Sequence, residues 1–325
     1  MVKVLVLSAT GKQGSTVVRA LLSPEFQTSG PNSVRAYVRD ASSEKAKALS
    51  ALGAELVEGG NWDSDVASLD RAFAGGIEAV FFVSIPSFTD FDAENRGATN
   101  VIEAAKRAGT VKHVVYSNVY GAENYKELPG WDASPVFANY WIAKAKSEEL
   151  VKNAGFPHYT ILRPAEFMSN YTGSTASIQI PDLVKEGVWH TPFSPSFSLS
   201  LIDEHDIGRT TAASIISPST FPASESGPSH ELNLIGERIT VGEVLKHLSA
   251  AAGKDLKIST LTPEEAVKVA EQNPIVAGQV LRIKAFEKGA TGVAPAESFG
   301  LGFRTFEEHT KVRSEEIKEV YKNTP

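Results

Sequence analysis

Along its first half the chain alternates short, nearly continuous apolar runs with stretches whose apolar residues recur at helical spacing. The runs are Lys3–Leu7, Val34–Val38, Ala54–Val57, Ala79–Val83, His113–Ser117 and His158–Leu162. Strands that read apolar at nearly every position are those buried on both faces of a parallel sheet. The helical stretches between them are Gly14–Leu22, Ser43–Leu52, Val66–Phe73, Phe91–Ala108 and Phe137–Asn153. Such a β-α-β-α succession requires right-handed crossovers. It predicts an α/β fold on a doubly wound parallel sheet, ordered 3-2-1-4-5-6.

After Leu162 the rhythm breaks. Residues 163–230 are rich in Pro, Ser, Thr and Phe and read as loops with a few short elements. Then "HELNLIG" (His230–Gly236) reads as a strand, followed by a helix with Thr240 as N-cap and Gly253 as C-cap. "TPEEAVKVAEQ" repeats the logic, with Thr262 capping, Pro263 at the first helical position and acids in the first turn. The predicted organisation is a sheet domain over 1–162 and a smaller, irregular α+β lobe over 163–325. Elements of the two are free to interleave, and the lobe is expected to close over the carboxyl edge of the sheet.

Composition narrows the function. The balance of 32 basic against 39 acidic residues, a formal charge of −7, lacks the basic patch that phosphate neutralisation demands of a nucleic-acid binder. A gene-regulatory role would therefore work through protein partners. The absence of cysteine removes disulfides, thiolate nucleophiles and thiolate metal sites. No His or Asp cluster has metal spacing, so no metal is predicted. The longest apolar stretch falls far short of the roughly 20 residues of a membrane span. A cytoplasmic protein is expected, with the nucleus open to it if it is a regulator.

The chemistry starts at "SATGKQG", Ser8–Gly14, directly after the first apolar run and before the first helical stretch. A tight turn there leaves backbone N–H groups at the positive end of a helix, where a pyrophosphate is stabilised. Ser8, Thr10, Gly11, Lys12, Gln13 and Gly14 are the candidate phosphate cradle. Gly11 lets the backbone approach the ligand and Gly14 lets the helix pack closely. Ser8 stands where the dehydrogenase pattern G-x-G-x-x-G has its first glycine, so the turn must tolerate a Cβ. The Rossmann dinucleotide fold accommodates such a turn, and an ordinary βα turn is the alternative.

The second run ends in Arg39, followed by Asp40. An arginine there suits the 2′-phosphate of NADP, whereas an acid suits the 2′-hydroxyl of NAD. NADP is favoured, with NAD left open. Two further loops leave the carboxyl edge of the predicted sheet. Asn61 and Trp62 would flank an adenine, and Ser84, Ile85 and Pro86 would run along the phosphates and ribose. Asp63 reads as the N-cap of the helix after it.

Taken together the chain resembles the NmrA-like family, a branch of the atypical short-chain dehydrogenase/reductases that includes isoflavone-reductase-like enzymes. The resemblance rests on "SATGKQG", Arg39, "GAELVEGG", "NVIEAAKRAGTVKHVVYSN" (Asn100–Asn118) and "YTILRPAEFMSN" (Tyr159–Asn170). "DEHDIGR" (Asp203–Arg209) and "LIGERITVGEVLKHLSAAAGK" extend it over nearly the whole chain. The family has a glycine in place of Ser8 and an acid in place of Gly60 or Asn61. The resemblance implies either an NADP(H)-dependent reductase of a small-molecule substrate or a non-catalytic redox sensor acting through protein partners.

Tyr140-x-x-x-Lys144 decides between them. Spacing of i, i+4 puts both side chains on one helix face, where an ammonium would lower the phenol pKa toward catalytic use. In dehydrogenases of this type the lysine also bonds the nicotinamide ribose, and a serine in the position of Ser117 orients the carbonyl. Tyr140 is alternatively a core aromatic beside Phe137 and Trp141, Ser117 with Asn118 a strand-end turn, and Tyr120 a rival phenol. By family position Pro164, Glu166 and Phe167 border the nicotinamide. Val119–Ala138 and the aromatic stretch Trp189–Leu201 form a pocket for a hydrophobic or aromatic carbonyl or quinone-type substrate, or else ordinary lobe core. His113 and His158 read as packed strand residues, and "DEHD" (Asp203–Asp206) as helix-start acids. Oligomeric state is not readable from the sequence.

Overall fold

The computed structural model describes residues 2–27, 30–87, 89–224, 228–287 and 299–325, and the chain divides into two compact units. The first unit comprises Met1–Tyr125, Trp131–Pro164 and Glu204–Leu234. Its strands are β1 (Lys3–Val6), β2 (Ser33–Val38), β3 (Glu55–Glu58), β4 (Ala79–Val83), β5 (His113–Ser117) and β6 (His158–Pro164). They pair in parallel in the predicted order, 3-2-1-4-5-6, forming a Rossmann-like sheet flanked by helices. Beyond β6 lies a seventh parallel strand, His230–Leu234, in register from His230↔Thr160 to Leu234↔Pro164.

That seventh strand was expected in the smaller lobe. "HELNLIG" carries a local strand signal, but its partner lies more than sixty residues upstream, and local pattern does not name it. Together with the helix Glu204–Ile216 it returns to the first unit, so a single boundary at 162 does not describe the chain.

The helices of the first unit are α1 (Lys12–Leu22), α2 (Glu44–Ala51), α3 (Val66–Phe73), α4 (Ala93–Ala108), α5 (Pro135–Lys152) and Glu204–Ile216. Val4, Leu5, Val6 and Leu7 are fully buried, as a two-sided strand requires. Phe73, Val80, Phe82, Val101 and Tyr116 lie with Leu5 in one cluster under α3 and α4. On the other side α1 crosses Glu204–Ile216 so closely that a Cβ on Gly208 would stand 2.5 Å from the Thr16 backbone. The Thr16 hydroxyl donates to the Glu204 carbonyl at that crossing, 2.8 Å away.

The N-caps follow short-range rules, with one correction. Ser43 caps α2, and Ser134 with Pro135 at the first position starts α5. The cap of α3 is Asp65, whose carboxylate accepts the Ser68 N–H, not the expected Asp63. Asp63 instead stands 3.8 Å from the Arg96 guanidinium.

The second unit comprises Lys126–Gly130, Ala165–Asp203 and Ile235–Pro325. It holds a three-stranded sheet of Glu166–Phe167, Ser198–Ile202 and Glu237–Thr240, and a parallel pair of Val188–Thr191 with Lys257–Thr260. Thr240 and Thr262 both form the expected capping boxes, and Gly253 ends its helix at φ 66°. Trp189, Phe193, Leu199 and Leu201 are buried in one cluster with Phe306 and Tyr321. These four residues of the aromatic stretch therefore build this unit's core, while Phe197 packs against it half-buried. In the same core His309 lies between Asp203 Oδ2 at 3.0 Å and Thr172 Oγ1 at 2.8 Å, so Asp203 is a buried ion-pair and hydrogen-bond partner.

Candidate functional site

The phosphate turn is built as its sequence suggests, but under strain. Ser8 adopts φ 51°, the left-handed region that the missing glycine would occupy freely. The turn closes through the Gly11 N–H, which donates to the Ser8 carbonyl at 2.8 Å. A Cβ on Gly14 would stand 2.2 Å from that same carbonyl oxygen, so only glycine lets α1 lie against the turn. Gly11 caps α1 without a side-chain hydrogen bond, and no acid sits in the first turn. The N-terminal end of an eleven-residue helix is thus left for an anion. Thr10 is half-buried beside it and Lys12 is exposed.

Gln13 and Ser117 are brought together, but on each other. The Ser117 hydroxyl donates its one proton to Gln13 Oε1 at 2.6 Å, and both side chains are buried. Ser117 therefore fastens α1 to the end of β5 and has no proton left for a substrate oxygen. Its neighbour Asn118 donates from Nδ2 to Glu148 at 2.8 Å, and Glu148 also pairs with the buried Arg163 and the half-buried Lys152. Tyr120 is half-buried, and its N–H donates to the carbonyl of Pro164, which ends β6.

At the ends of β2 and β3 an open concavity is lined by Arg39, Glu58, Gly59, Gly60, Asn61 and Arg71. Arg39 and Arg71 are exposed and neither forms a salt bridge among the described residues, although Asp65 lies close enough to Arg71 for its carboxyl to feel that charge. Asp40, next to Arg39, is tied locally through one carboxylate oxygen. Its Oδ1 accepts from the Ser42 N–H at 2.8 Å and the Ser42 hydroxyl at 2.6 Å, which hold the carboxyl below its usual range. The Glu58 carboxylate accepts the Ala41 N–H at 2.9 Å. Gly60 is tied through its N–H to Asp65 and through its carbonyl to the Tyr37 hydroxyl. Asn61 stays exposed, as a ligand contact requires. Trp62 does not: it packs against Gly97 and edge-on to Tyr37, as part of the core.

The third group centres on Lys144. Its ammonium is 2.8 Å from Glu94 Oε1, donates to the Ser84 carbonyl at 3.2 Å and lies 5.7 Å from the centroid of the Tyr140 ring. Ser84 is buried, its hydroxyl donating to Glu94 at 2.7 Å and meeting the Tyr116 hydroxyl at 2.6 Å. Ser84 thus braces the network and offers no hydroxyl to a ribose. Ile85 beside it is exposed and Pro86 half-buried.

The expected acidification of Tyr140 does not occur. Burial, and then the Glu94 charge, push its hydroxyl up from the ordinary phenol value. The lysine sits over the ring face, and its charge is balanced by Glu94, so the phenol stays protonated. Tyr116 is pushed up for the same two reasons.

Glu166 and Phe167 belong to the second unit, where Glu166 pairs with Arg282 at 2.6 Å and accepts from the Tyr171 hydroxyl at 2.9 Å.

Reading the sequence missed Glu94, Tyr116, Arg71 and Asp65. Glu94 and Arg71 sit in helices where isolated charges ordinarily serve the dipole or the solvent. Only the sheet order shows what they face.

A family model described as the NmrA-like family matches residues 2–323. The chain belongs to the NmrA-like family. Among its relatives is the NAD(P)H azoreductase of Xenophilus azovorans, 30% identical over 267 residues, 81% of this chain and 78% of that protein. The nitrogen metabolite repression protein nmrA of Emericella nidulans is 26% identical over 258 residues, 77% of this chain. That alignment spans 66% of nmrA's own length. Among solved structures, the triphenylmethane reductase of Citrobacter sp. in complex with NADP(H) superimposes with a TM-score of 0.67 at 22% identity. The superposition covers 95% of this chain and 99% of that one. This NmrA-like chain thus shares its fold with a reductase and its family with a repression protein. No helix among its described residues is long and apolar enough to cross a membrane.

Proposed function

We propose that this NmrA-like protein binds NADP(H) along the carboxyl edge of its sheet. We further infer that it reduces a small hydrophobic or aromatic carbonyl or quinone-type compound. The observation that carries the cofactor is the pair Arg39 and Arg71, two exposed guanidinium groups on one concavity that form no salt bridge among the described residues. A ribose 2′-phosphate placed on that concavity would be drawn by both guanidinium groups. The uncapped N-terminus of α1 suits the pyrophosphate. NAD, lacking the 2′-phosphate, would use the same turn with less affinity.

The dinucleotide, when bound, supplies the hydride. Among the described residues Lys144 gives N–H groups to Glu94 and Ser84 only, and its third would hold a ribose hydroxyl. Tyr140 stays a neutral phenol, able to donate a hydrogen bond and then a proton to the oxygen that gains charge. That state serves reduction, since the reverse reaction begins from phenolate. The names of the azoreductase and triphenylmethane reductase agree with this direction.

A second reading is favoured by Ser117, whose proton is engaged by Gln13. An NmrA-like protein without a substrate-orienting serine could hold NADP(H) as a redox signal and pass it to a protein partner. Titration of NADPH and NADH against intrinsic fluorescence tests the shared cofactor claim. NADPH should bind at least about tenfold tighter, roughly 1.4 kcal/mol. Equal binding, or none, removes the 2′-phosphate site.

A further inference from the structure

Glu94 is the anion that neither reading of this site requires. It stands in the first turn of α4, where the positive end of the helix favours a carboxylate. Yet its side chain is buried, 2% exposed, and turned inward to the Ser84 hydroxyl and the Lys144 ammonium. Lys144 is equally enclosed at 6% exposure. A buried ammonium with no counter-charge gives up its proton, and a buried carboxylate with no donor takes one up. The two groups are enclosed facing each other, 2.8 Å apart.

The geometry also sets direction. An ammonium on a four-carbon stem can turn its three N–H bonds anywhere. Here one is taken by Glu94 Oε1 and one by the Ser84 carbonyl, which belongs to the segment following β4. The remaining one has no partner among the described residues. Ser84 is itself held by the Tyr116 hydroxyl, so the frame around the ammonium is fixed from three elements, β4, β5 and α4.

We propose that Glu94 is the positioning residue of this site, holding Lys144 charged and oriented so that its third N–H meets a ribose hydroxyl. This rests on the dinucleotide reading above. The titratable groups around Lys144 are Glu94 from α4, Tyr116 from β5 and Tyr140 from α5 itself. Glu148, one turn further along α5, is held by Arg163 and Lys152. Both tyrosines are neutral, so Glu94 is the counter-charge.

The test is NADPH affinity across about pH 6 to 9 for wild type, Glu94→Gln, Glu94→Asp, Lys144→Met and the double variant Glu94→Gln/Lys144→Met. Wild type should bind with little pH dependence. Glu94→Gln keeps the shape but not the charge, and its affinity should fall at least about tenfold toward the alkaline end as Lys144 deprotonates. Glu94→Asp should restore most of the flat profile. Lys144→Met and the double variant should be equally weak and flat, because Glu94 acts only through the lysine.

A Glu94→Gln profile parallel to wild type overturns the proposal, as does the same alkaline fall in the double variant. Should Glu94→Gln alone fail to fold, the comparison of Lys144→Met with the double variant still decides. Equal affinity supports the proposal, and a further loss in the double variant overturns it. Failure of wild type to bind NADPH at all removes the dinucleotide reading first and the proposal with it. Tight wild-type binding with a parallel Glu94→Gln profile removes the proposal alone.

Discussion

The Lys144 ammonium and the Glu94 carboxylate lie 2.8 Å apart, both almost wholly enclosed, at the point where α4, α5 and the end of β4 meet. Breaking one side of such a pair leaves a charge buried without compensation, which costs about 3–5 kcal/mol. Lys144→Met should therefore lower unfolding free energy by about that amount in urea titration. Removing both charges should recover most of the loss. A single variant within about 0.5 kcal/mol of wild type would show that the pair is not buried in solution.

Arg39 and Arg71 share a concavity and should share the work of choosing the cofactor. Arg39→Ala and Arg71→Ala are each expected to weaken NADPH binding about tenfold while leaving NADH binding near its wild-type value. Calorimetric titration with both dinucleotides reads this directly. Equal losses for NADPH and NADH would place the arginine's effect elsewhere than on the 2′-phosphate.

Ser8 at φ 51° should be an uphill residue. A side chain in the left-handed region costs about 1–2 kcal/mol, and the extra chain entropy of glycine returns about 0.5–1. Ser8→Gly is thus predicted to stabilise the protein by up to about 1.5 kcal/mol. Gly14→Ala meets the Ser8 carbonyl at 2.2 Å and should cost at least about 2 kcal/mol, together with dinucleotide binding. Denaturant melts of the two variants should move in opposite directions.

The amino edge of the sheet sets a pH response. His113 is buried, its Nε2 paired with the Thr160 hydroxyl at 2.9 Å, its ring 6.0 Å from that of His158. Burial, and then the charges of His158 and His230, lower its pKa from 6.5 to about 3. The folded value lies below the unfolded one, so stability is whole above about 6.5 and is lost as pH falls toward 3. The loss is about 1.4 kcal/mol per unit, or about 2 kcal/mol between pH 6.5 and 5. His113→Gln should shrink that acid-side loss by most of this amount, measured by urea unfolding at the two pH values.

Much of the first unit was legible because its signals are local. Continuous apolar runs name six strands, and their alternation with helices implies the doubly wound order that the sheet shows. Thr240 and Thr262 announced their helices through a hydroxyl and a glutamate three residues apart. What stayed hidden is non-local. The strand His230–Leu234 gives no hint that β6 is its partner. Asp63 and Asp65 both suit a helix start, and only the position of Gly60 shows that Asp65 takes the cap. Glu94 looks like any acid in a first turn until Ser84 and Lys144 converge on it. The aromatic stretch from Trp189 onward could face a ligand or a core, and alternation cannot tell the two apart. Tyr140-x-x-x-Lys144 was legible as a spacing, but the upward shift at Tyr140 comes first from burial and then from Glu94, and neither shows in a local spacing.

The claim that this NmrA-like protein is a reductase stands on Tyr140 more than on any other group. NADPH oxidation should be followed by absorbance against a panel of ketones, enals and quinones, with wild type and Tyr140→Phe side by side. Turnover with at least one acceptor is predicted, reduced about 10²-fold or more by Tyr140→Phe while NADPH affinity is kept. Tight NADPH binding with no turnover on any acceptor, or turnover indifferent to Tyr140→Phe, would contradict it.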